Sequence, residues 1–253
     1  MIVFPNAKIN IGLNILRKRE DGYHDIQTVF YPVDLCDALE IVEHQGNEDY
    51  IFTSSGLEID GSSENNLVIK ALKLIKKHYD LPPVRIHLHK KIPMGAGLGG
   101  GSADATFTIK LLNDLFNLGI SKAEMLKFAA EICADCAFFV ENRPVFATGI
   151  GDKLQNIDLS LENYEIKIEK PDIHISTSNI YQKIRPNDNV KDLRELIKLP
   201  VEDWNDNIFN DFEDVIFREY PQVARLKQKF YEQGAIYASM TGSGSAVFGI
   251  YSK

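Results

Sequence analysis

Over the first forty residues apolar and polar positions alternate, the period of a strand with one buried face. The pattern predicts strands over 7–16 and 27–33, separated by the turn-rich run Arg19-Glu20-Asp21-Gly22, and shorter ones at Leu39-Glu40-Ile41-Val42 and Tyr50–Thr53. The period then changes. After the polar run Gly61-Ser62-Ser63-Glu64-Asn65, the stripe Val68, Ala71, Leu72, Ile75 has helical spacing, with Asn65 or Asn66 placed to cap its start. Val84, Ile86 and Leu88 alternate with Arg85, His87 and His89, a half-buried strand. A glycine-dense loop follows, then a second helix with the stripe Ala105, Ile109, Leu112, Phe116, ending at Asn117-Leu118-Gly119. Ser121-Lys122-Ala123-Glu124 is a capping box opening a third helix.

The pattern breaks at Gly149-Ile150-Gly151-Asp152, which suggests a division of the chain into residues 1–154 and 155–253. Beyond it the sequence predicts a strand over 164–170, helices over 203–218 and 221–233, and two strands, 235–240 and 246–251, flanking Thr241-Gly242-Ser243-Gly244-Ser245. Pro221 suits a first helical turn and Gly234 a helix end. Strands and helices mixed in this order give an α+β protein of two domains.

Composition narrows the function classes. The 253 residues are 44% hydrophobic and 25% charged, as in ordinary folded proteins. With 28 Lys and Arg against 36 Asp and Glu, the net charge of −8 repels polyanions, so nucleic acid is not expected as a partner. No run approaches the ~20 apolar residues of a membrane span, and the N-terminus does not read as a signal peptide. The expected location is the cytoplasm.

The densest chemical signal is Gly95–Ser102, with five glycines in eight positions between a strand and a helix. Backbone N–H groups in such a loop can converge on an anion, and the helix start favours negative charge. No Gly-Lys-[Ser/Thr] is present, so this is not a Walker A loop. On composition alone a flexible connector is also compatible.

With its flanks, Pro93-Met94-Gly95-Ala96-Gly97-Leu98-Gly99-Gly100-Gly101-Ser102-Ala103 resembles the phosphate loop of the GHMP kinase superfamily. Two further segments match that superfamily in the same order: Pro5-Asn6-Ala7-Lys8-Ile9-Asn10-Ile11-Gly12-Leu13, and Met240-Thr241-Gly242-Ser243-Gly244-Ser245-Ala246-Val247-Phe248. Within it, Ala7-Lys8-Ile9-Asn10, Asp21-Gly22-Tyr23-His24 and Ala134-Asp135-Cys136-Ala137-Phe138-Phe139 resemble the family of ATP-dependent kinases that act on 4-diphosphocytidyl-2-C-methyl-D-erythritol. Other kinases of the superfamily, of mevalonate or homoserine type, and a non-catalytic nucleotide sensor are the alternatives. The resemblance implies a two-domain fold with the active site in the cleft between domains, ATP as co-substrate with Mg2+, and a monomer or weak homodimer. The family usually continues past the last strand, so the C-terminal domain reads as shorter than usual at its end. The family's proline after Asp-x is replaced by Ala137.

Site residues follow from the chemistry and from the resemblance together. Phosphoryl transfer to an alcohol needs positioning, charge neutralisation and a proton acceptor. Asp135, between apolar residues past a helix end, is the natural general base; the alternative is an aspartate that caps a helix. Lys8, inside an apolar strand, is costly unless an anion faces it; the alternative is a strand lysine turned to solvent. The resemblance makes these two the catalytic pair. It assigns Pro93 to Ala103, with Asn66 and Lys90, to ATP. It assigns Asn10, Tyr23, His24, Thr177, Tyr181 and Gly242-Ser243-Gly244 to the phosphoryl acceptor, whose cytosine a flat aromatic could stack on. Tyr181 could instead be an ordinary core or surface aromatic. Mg2+ is expected to arrive with ATP; Ser102 offers a hydroxyl, and no carboxylate ligand can be named. Cys133 and Cys136 read as buried thiols rather than a zinc site, and His87 and His89 as a polar strand face rather than a metal grip.

Overall fold

The computed structural model describes residues 1–59, 61–173, 175, 177–187 and 189–253. The elements in chain order are β1 (Ile2–Val3), β2 (Asn6–Lys18), β3 (His24–Cys36), β4 (Ala38–Glu43), β5 (Tyr50–Gly56), α1 (Leu67–His78), β6 (Val84–Lys90), α2 (Gly100–Phe116), α3 (Lys122–Ile132) and α4 (Phe138–Glu141). They continue with β7 (Val145–Gly149), β8 (Lys153–Asn156), β9 (Tyr164–Glu169), α5 (Thr177–Tyr181), α6 (Leu193–Leu196), α7 (Glu213–Glu219), α8 (Pro221–Glu232), β10 (Tyr237–Met240) and β11 (Val247–Ser252).

Two compact units form, interleaved along the chain. The first contains Met1–Ala7, Asp34–Met94 and Gly99–Asn142. Its sheet has the order β1-β4-β6-β5, with β5 parallel to β6 and the other pairs antiparallel. Leu39, Ile41, Ile86 and Leu88 on one face of that sheet pack against Val68, Leu72 and Ile75 of α1, Ala105, Ile109 and Leu112 of α2, and Ala129 of α3. The residues of α1 and α2 are the stripes read from the sequence, and Asn66 caps α1 by accepting from Val68 N at 2.9 Å. The capping box of Ser121 and Glu124 is formed in both directions.

The second unit contains Lys8–Val33, Gly95–Leu98 and Arg143–Lys253. Its sheets are β2-β3-β7-β8 and the antiparallel β10-β11-β9. Phe212, Ile216, Val223 and Phe230 from the α7–α8 region share a core with Leu13, Ile15, Met240 and Val247. α8 begins with Pro221 and is followed by Gly234 at φ +89°.

Four readings of the sequence need correction or sharpening. The break at Gly149–Asp152 is the turn of the β7–β8 hairpin, where Gly149 and Gly151 have positive φ and Asp152 accepts from Ile150 N at 3.0 Å. The helix expected over 203–218 is not continuous. Val201–Asp206 forms a 3-10 turn, and the chain then runs beside β2, with Leu13 N donating to Phe209 O and Asp211 N to Leu13 O, before α7 starts. That pairing takes the backbone groups a helix would have used. β2 is not half-buried: residues 7–15 are buried on both faces, because its polar face carries the network described below. Cys133 and Cys136, read as thiols, are joined in a disulfide. Cys133 ends α3, and the 3-10 turn Ala134–Ala137 stacks positions three apart, bringing the two Cα atoms to 5.3 Å, within disulfide reach.

Candidate active site

In the second unit one hydrogen-bonded network joins the three glycine and lysine segments. Lys8 is 3% exposed, which removes the alternative of a strand lysine turned to solvent. Its ammonium donates to Asn10 Oδ1 at 2.7 Å and to Gly97 O at 3.1 Å, and lies 4.8 Å from the centre of the Phe30 ring. Asn10 Nδ2 donates to Thr28 Oγ1 at 2.9 Å, and Thr28 Oγ1 to Gly12 O at 2.6 Å. From the last glycine segment, Thr241 Oγ1 accepts from Asn10 N at 3.0 Å and donates toward Gly97 O at 3.0 Å. Three segments far apart in the chain, at residues 8–10, 97 and 241, therefore fix one another's position.

The two glycine loops meet at their backbones. Gly97 has φ +77°, and a Cβ there would overlap the Thr241 carbonyl; a Cβ on Gly242, at φ +56°, would lie 3.0 Å from Gly97 Cα. Ala246 N donates to Ala96 O at 3.2 Å. Two residues absent from the sequence reading hold this arrangement. Thr28 supports Asn10, and buried Asn210 donates through Nδ2 to Met240 O at 2.8 Å and Gly242 O at 2.9 Å, fixing both ends of the turn. A buried Thr in a strand and an Asn in an apolar run carry no distinctive pattern. Gly244 also has positive φ, and Gly244 N donates to Thr241 O, closing the turn.

The aromatics expected on the acceptor side are partly assembled in the same unit. His24, 7% exposed, stacks on Tyr181 with ring centres 5.2 Å apart, and Tyr181 meets Phe212 edge to face at 4.9 Å. Burial, with the charge of Lys18, lowers the His24 pKa and favours the neutral ring, which has one donor and one acceptor nitrogen. Tyr23 is 61% exposed; its N–H is held by Asp21 Oδ1 at 3.1 Å, and its carbonyl accepts from Arg19 N at 2.8 Å. The turn thus fixes the Tyr23 backbone while presenting its ring. The side chain of Thr177 lies outside the described residues; its backbone opens α5. If Tyr23 stacks on a base of the acceptor, Tyr23→Ala is expected to raise KM for the acceptor about tenfold, while KM for ATP changes less than about twofold. Steady-state kinetics with each substrate varied checks this; equal changes would remove Tyr23 from acceptor recognition.

In the first unit, Gly99 is the N-cap of α2 with φ +69°, a left-handed conformation that glycine adopts without a Cβ penalty. It offers no side-chain cap, and no acidic residue lies in the first turn. The N–H groups of that turn have no acceptor within the helix, the arrangement that suits a phosphate. Gly100 begins the helix, Gly101 and Ser102 follow, and Ala103 N donates to Gly99 O at 2.9 Å. Pro93 and Met94 lead into the loop, and Gly95 has φ +60°. Asn66 sits at the α1 cap. Lys90 is turned inward: its ammonium is paired with Asp37 and, at 3.0 Å, with Asp104. Asp135 lies half-buried in the 3-10 turn after α3, between the bridged cysteines.

The His87 and His89 face carries a polar ladder, His87 Nδ1 with Thr53 Oγ1 at 2.9 Å, and Ser55 Oγ with His87 Nε2 at 2.9 Å and His89 Nδ1 at 3.0 Å. Among the described residues no group of three or more His, Cys, Asp or Glu side chains is placed to hold a metal ion. No described helix is long and apolar enough to cross a membrane.

Comparison with known proteins gives a consistent picture. The model of the GHMP kinases N terminal domain matches residues 66–142, and that of the GHMP kinases C terminal domain matches residues 187–253. The chain is 51% identical, over 253 residues, to 4-diphosphocytidyl-2-C-methyl-D-erythritol kinase of Bacteroides fragilis, covering 100% of this chain and 92% of that protein. Its fold is similar to the crystal structure of a 4-(cytidine 5'-diphospho)-2C-methyl-D-erythritol kinase, at TM-score 0.86 and 29% identity over 99% of this chain and 90% of that one. A mevalonate kinase shares the fold at TM-score 0.74 and 16% identity, over 99% and 91% of the two chains.

Proposed function

The chain belongs to the GHMP kinases and, within them, to the 4-diphosphocytidyl-2-C-methyl-D-erythritol kinase family, and from that membership we propose how its residues divide the reaction. The reaction is transfer of the γ-phosphoryl group of ATP to a hydroxyl of 4-diphosphocytidyl-2-C-methyl-D-erythritol, giving the 2-phosphate and ADP, in isoprenoid precursor synthesis. What carries this reading is the identity across the full chain, half of all positions shared with a kinase named for that substrate.

Asp135 accepts the hydroxyl proton as the oxygen forms its bond to the γ-phosphorus; the bond to the β,γ-bridging oxygen breaks and ADP leaves. Lys8, oriented by Asn10 and Gly97, stabilises the charge that develops on the transferring group. The loop from Pro93 to Ala103 binds the ATP phosphates through the N–H groups at the start of α2, with Asn66 on the adenine side. Lys90 serves ATP from beside the start of α2. Tyr23, His24, Thr177 and Tyr181 take the cytidine, while Asn10 and Gly242-Ser243-Gly244 take the rest of the acceptor with its phosphates. Ser102, whose hydroxyl is a hard oxygen donor, would hold the Mg2+ expected with ATP, and the ion would neutralise phosphate charge when bound. The same reading puts the division between the two family domains near residue 155. It takes the protein to be a cytoplasmic monomer or weak homodimer.

The test is ADP release with ATP, Mg2+ and a panel of alcohols: 4-diphosphocytidyl-2-C-methyl-D-erythritol, mevalonate and homoserine. Turnover with the cytidylated alcohol is expected. Turnover with mevalonate or homoserine alone would overturn the substrate assignment.

A further inference from the structure

Three charged side chains are buried together beside the start of α2. Lys90, at the end of β6, is 2% exposed, Asp37 between β3 and β4 is 1% exposed, and Asp104 in the second turn of α2 is 2% exposed. The Lys90 ammonium pairs with Asp37 Oδ2 and with Asp104 Oδ2. Asp37 Oδ1 also accepts from Lys91 N at 2.5 Å and Ile92 N at 2.8 Å, the two residues before Pro93. The triad therefore links the strand that leads into the loop to the helix that leads out of it, within one unit.

Such a cluster gains little net stability, because desolvating three charges costs about as much as their attraction returns. The cost is visible at Asp104. Its Oδ1 is buried with no hydrogen-bond partner, and burial pushes its carboxyl up to about 7 against the pull of Lys90. Lys90 from β6 and Asp37 from the β3–β4 connection are the charged groups that act on it. A second observation ties the triad to the loop sequence. Gly100 is helical, so its φ does not require glycine, yet a Cβ there would lie 2.9 Å from Lys90 Nζ and 2.8 Å from Ile92 Cγ2. Glycine at the first position of α2 makes room for the ammonium.

We propose that the Asp37–Lys90–Asp104 triad is a positioning device for the phosphate loop, holding the chain before Pro93 and the start of α2 at a set separation so that the N–H groups of the first turn are aimed before ATP binds. The proposal rests on the kinase reading and deepens its ATP side. Lys90, Asp37 and Asp104 act on ATP only through the loop and are positioning residues.

The test is calorimetric titration of ATP, and separately of 4-diphosphocytidyl-2-C-methyl-D-erythritol, against wild type, Asp104→Ala and Asp104→Asn. Asp104→Ala is expected to weaken ATP binding at least about tenfold, roughly 1.4 kcal/mol, with acceptor affinity changed less than about twofold. Asp104→Asn keeps an oxygen facing Lys90 and is expected to restore ATP affinity to within about threefold of wild type. A merely structural role would lower thermal stability and weaken both ligands alike, and that result, or unchanged ATP affinity, would overturn the proposal. If Asp104→Ala does not fold, Lys90→Arg decides. It keeps the charge but crowds Gly100 with a larger head group, and the same selective loss of ATP affinity is expected. Unchanged ATP binding by that variant, or loss of folding in both, would make the triad a folding element and overturn the idea. Wild-type turnover of the cytidylated alcohol judges the kinase reading independently, since the triad is read from ATP binding alone.

Discussion

Asp135→Asn is expected to lower kcat by about a thousandfold while ATP affinity stays within about twofold of wild type. The amide has the size of the carboxylate but cannot take up the hydroxyl proton, and a positioned general base is worth about 10²–10⁴ in rate. The turn that carries the residue should survive the change. It is closed by the Cys133–Cys136 disulfide and by Thr106 Oγ1 donating to Cys136 O at 2.8 Å, bonds made by neighbouring atoms. Steady-state turnover at saturating substrates, with calorimetric titration of ATP, checks both halves of the expectation. A variant that kept kcat within about tenfold would remove Asp135 from the role of base.

The second large effect is expected at Gly97. In Gly97→Ala the new methyl group overlaps the Thr241 carbonyl oxygen, lies 2.8 Å from its carbon and 3.3 Å from Gly242 Cα, and the backbone must hold φ +77° with a Cβ present. Both partners are main chain in a buried turn, so neither can move away as a flexible side chain would. The left-handed conformation alone costs about 1–2 kcal/mol. With the clash, a loss of about 3 kcal/mol or more is expected, near the upper end for single substitutions. For a chain of this size that lowers Tm by roughly 6–12 °C. Because Gly97 O also accepts from Lys8 and Thr241, kcat should fall with stability. Gly101→Ala is the control for stability. Its Cβ would meet only Leu67 Cδ1 at 3.5 Å, in a helix where alanine is favoured over glycine. Thermal unfolding of the two variants, side by side, measures the difference. Equal Tm values would show that the two loops do not need glycine at their meeting point.

Local signals were legible in the chain wherever neighbours in sequence decide the outcome. The strand period of β2, the helical stripes of α1 and α2, the capping box of α3 and the Pro221 and Gly234 punctuation of α8 all depend on residues a few positions apart, and all are formed. The three motifs were legible for the same reason, since each is a contiguous run whose glycines, lysine or hydroxyls restrict what the backbone can do. What lay beyond that reach was set by packing. The 203–218 segment has the composition of one helix, but pairing with Leu13 breaks it, and nothing in its own residues announces a partner some two hundred positions away. The cysteine spacing is compatible with thiols or with a bridge, and the 3-10 turn decides by stacking one Cα above the other. Lys8 could have faced solvent from an edge strand; burial of both faces of β2 turned it toward Asn10 and Gly97. The triad of Asp37, Lys90 and Asp104 has no sequence signature at all. Three charges from separate places in the chain become one cluster only when β6 and α2 are laid together, because the cost of burying each charge is offset by partners that only the folded chain supplies.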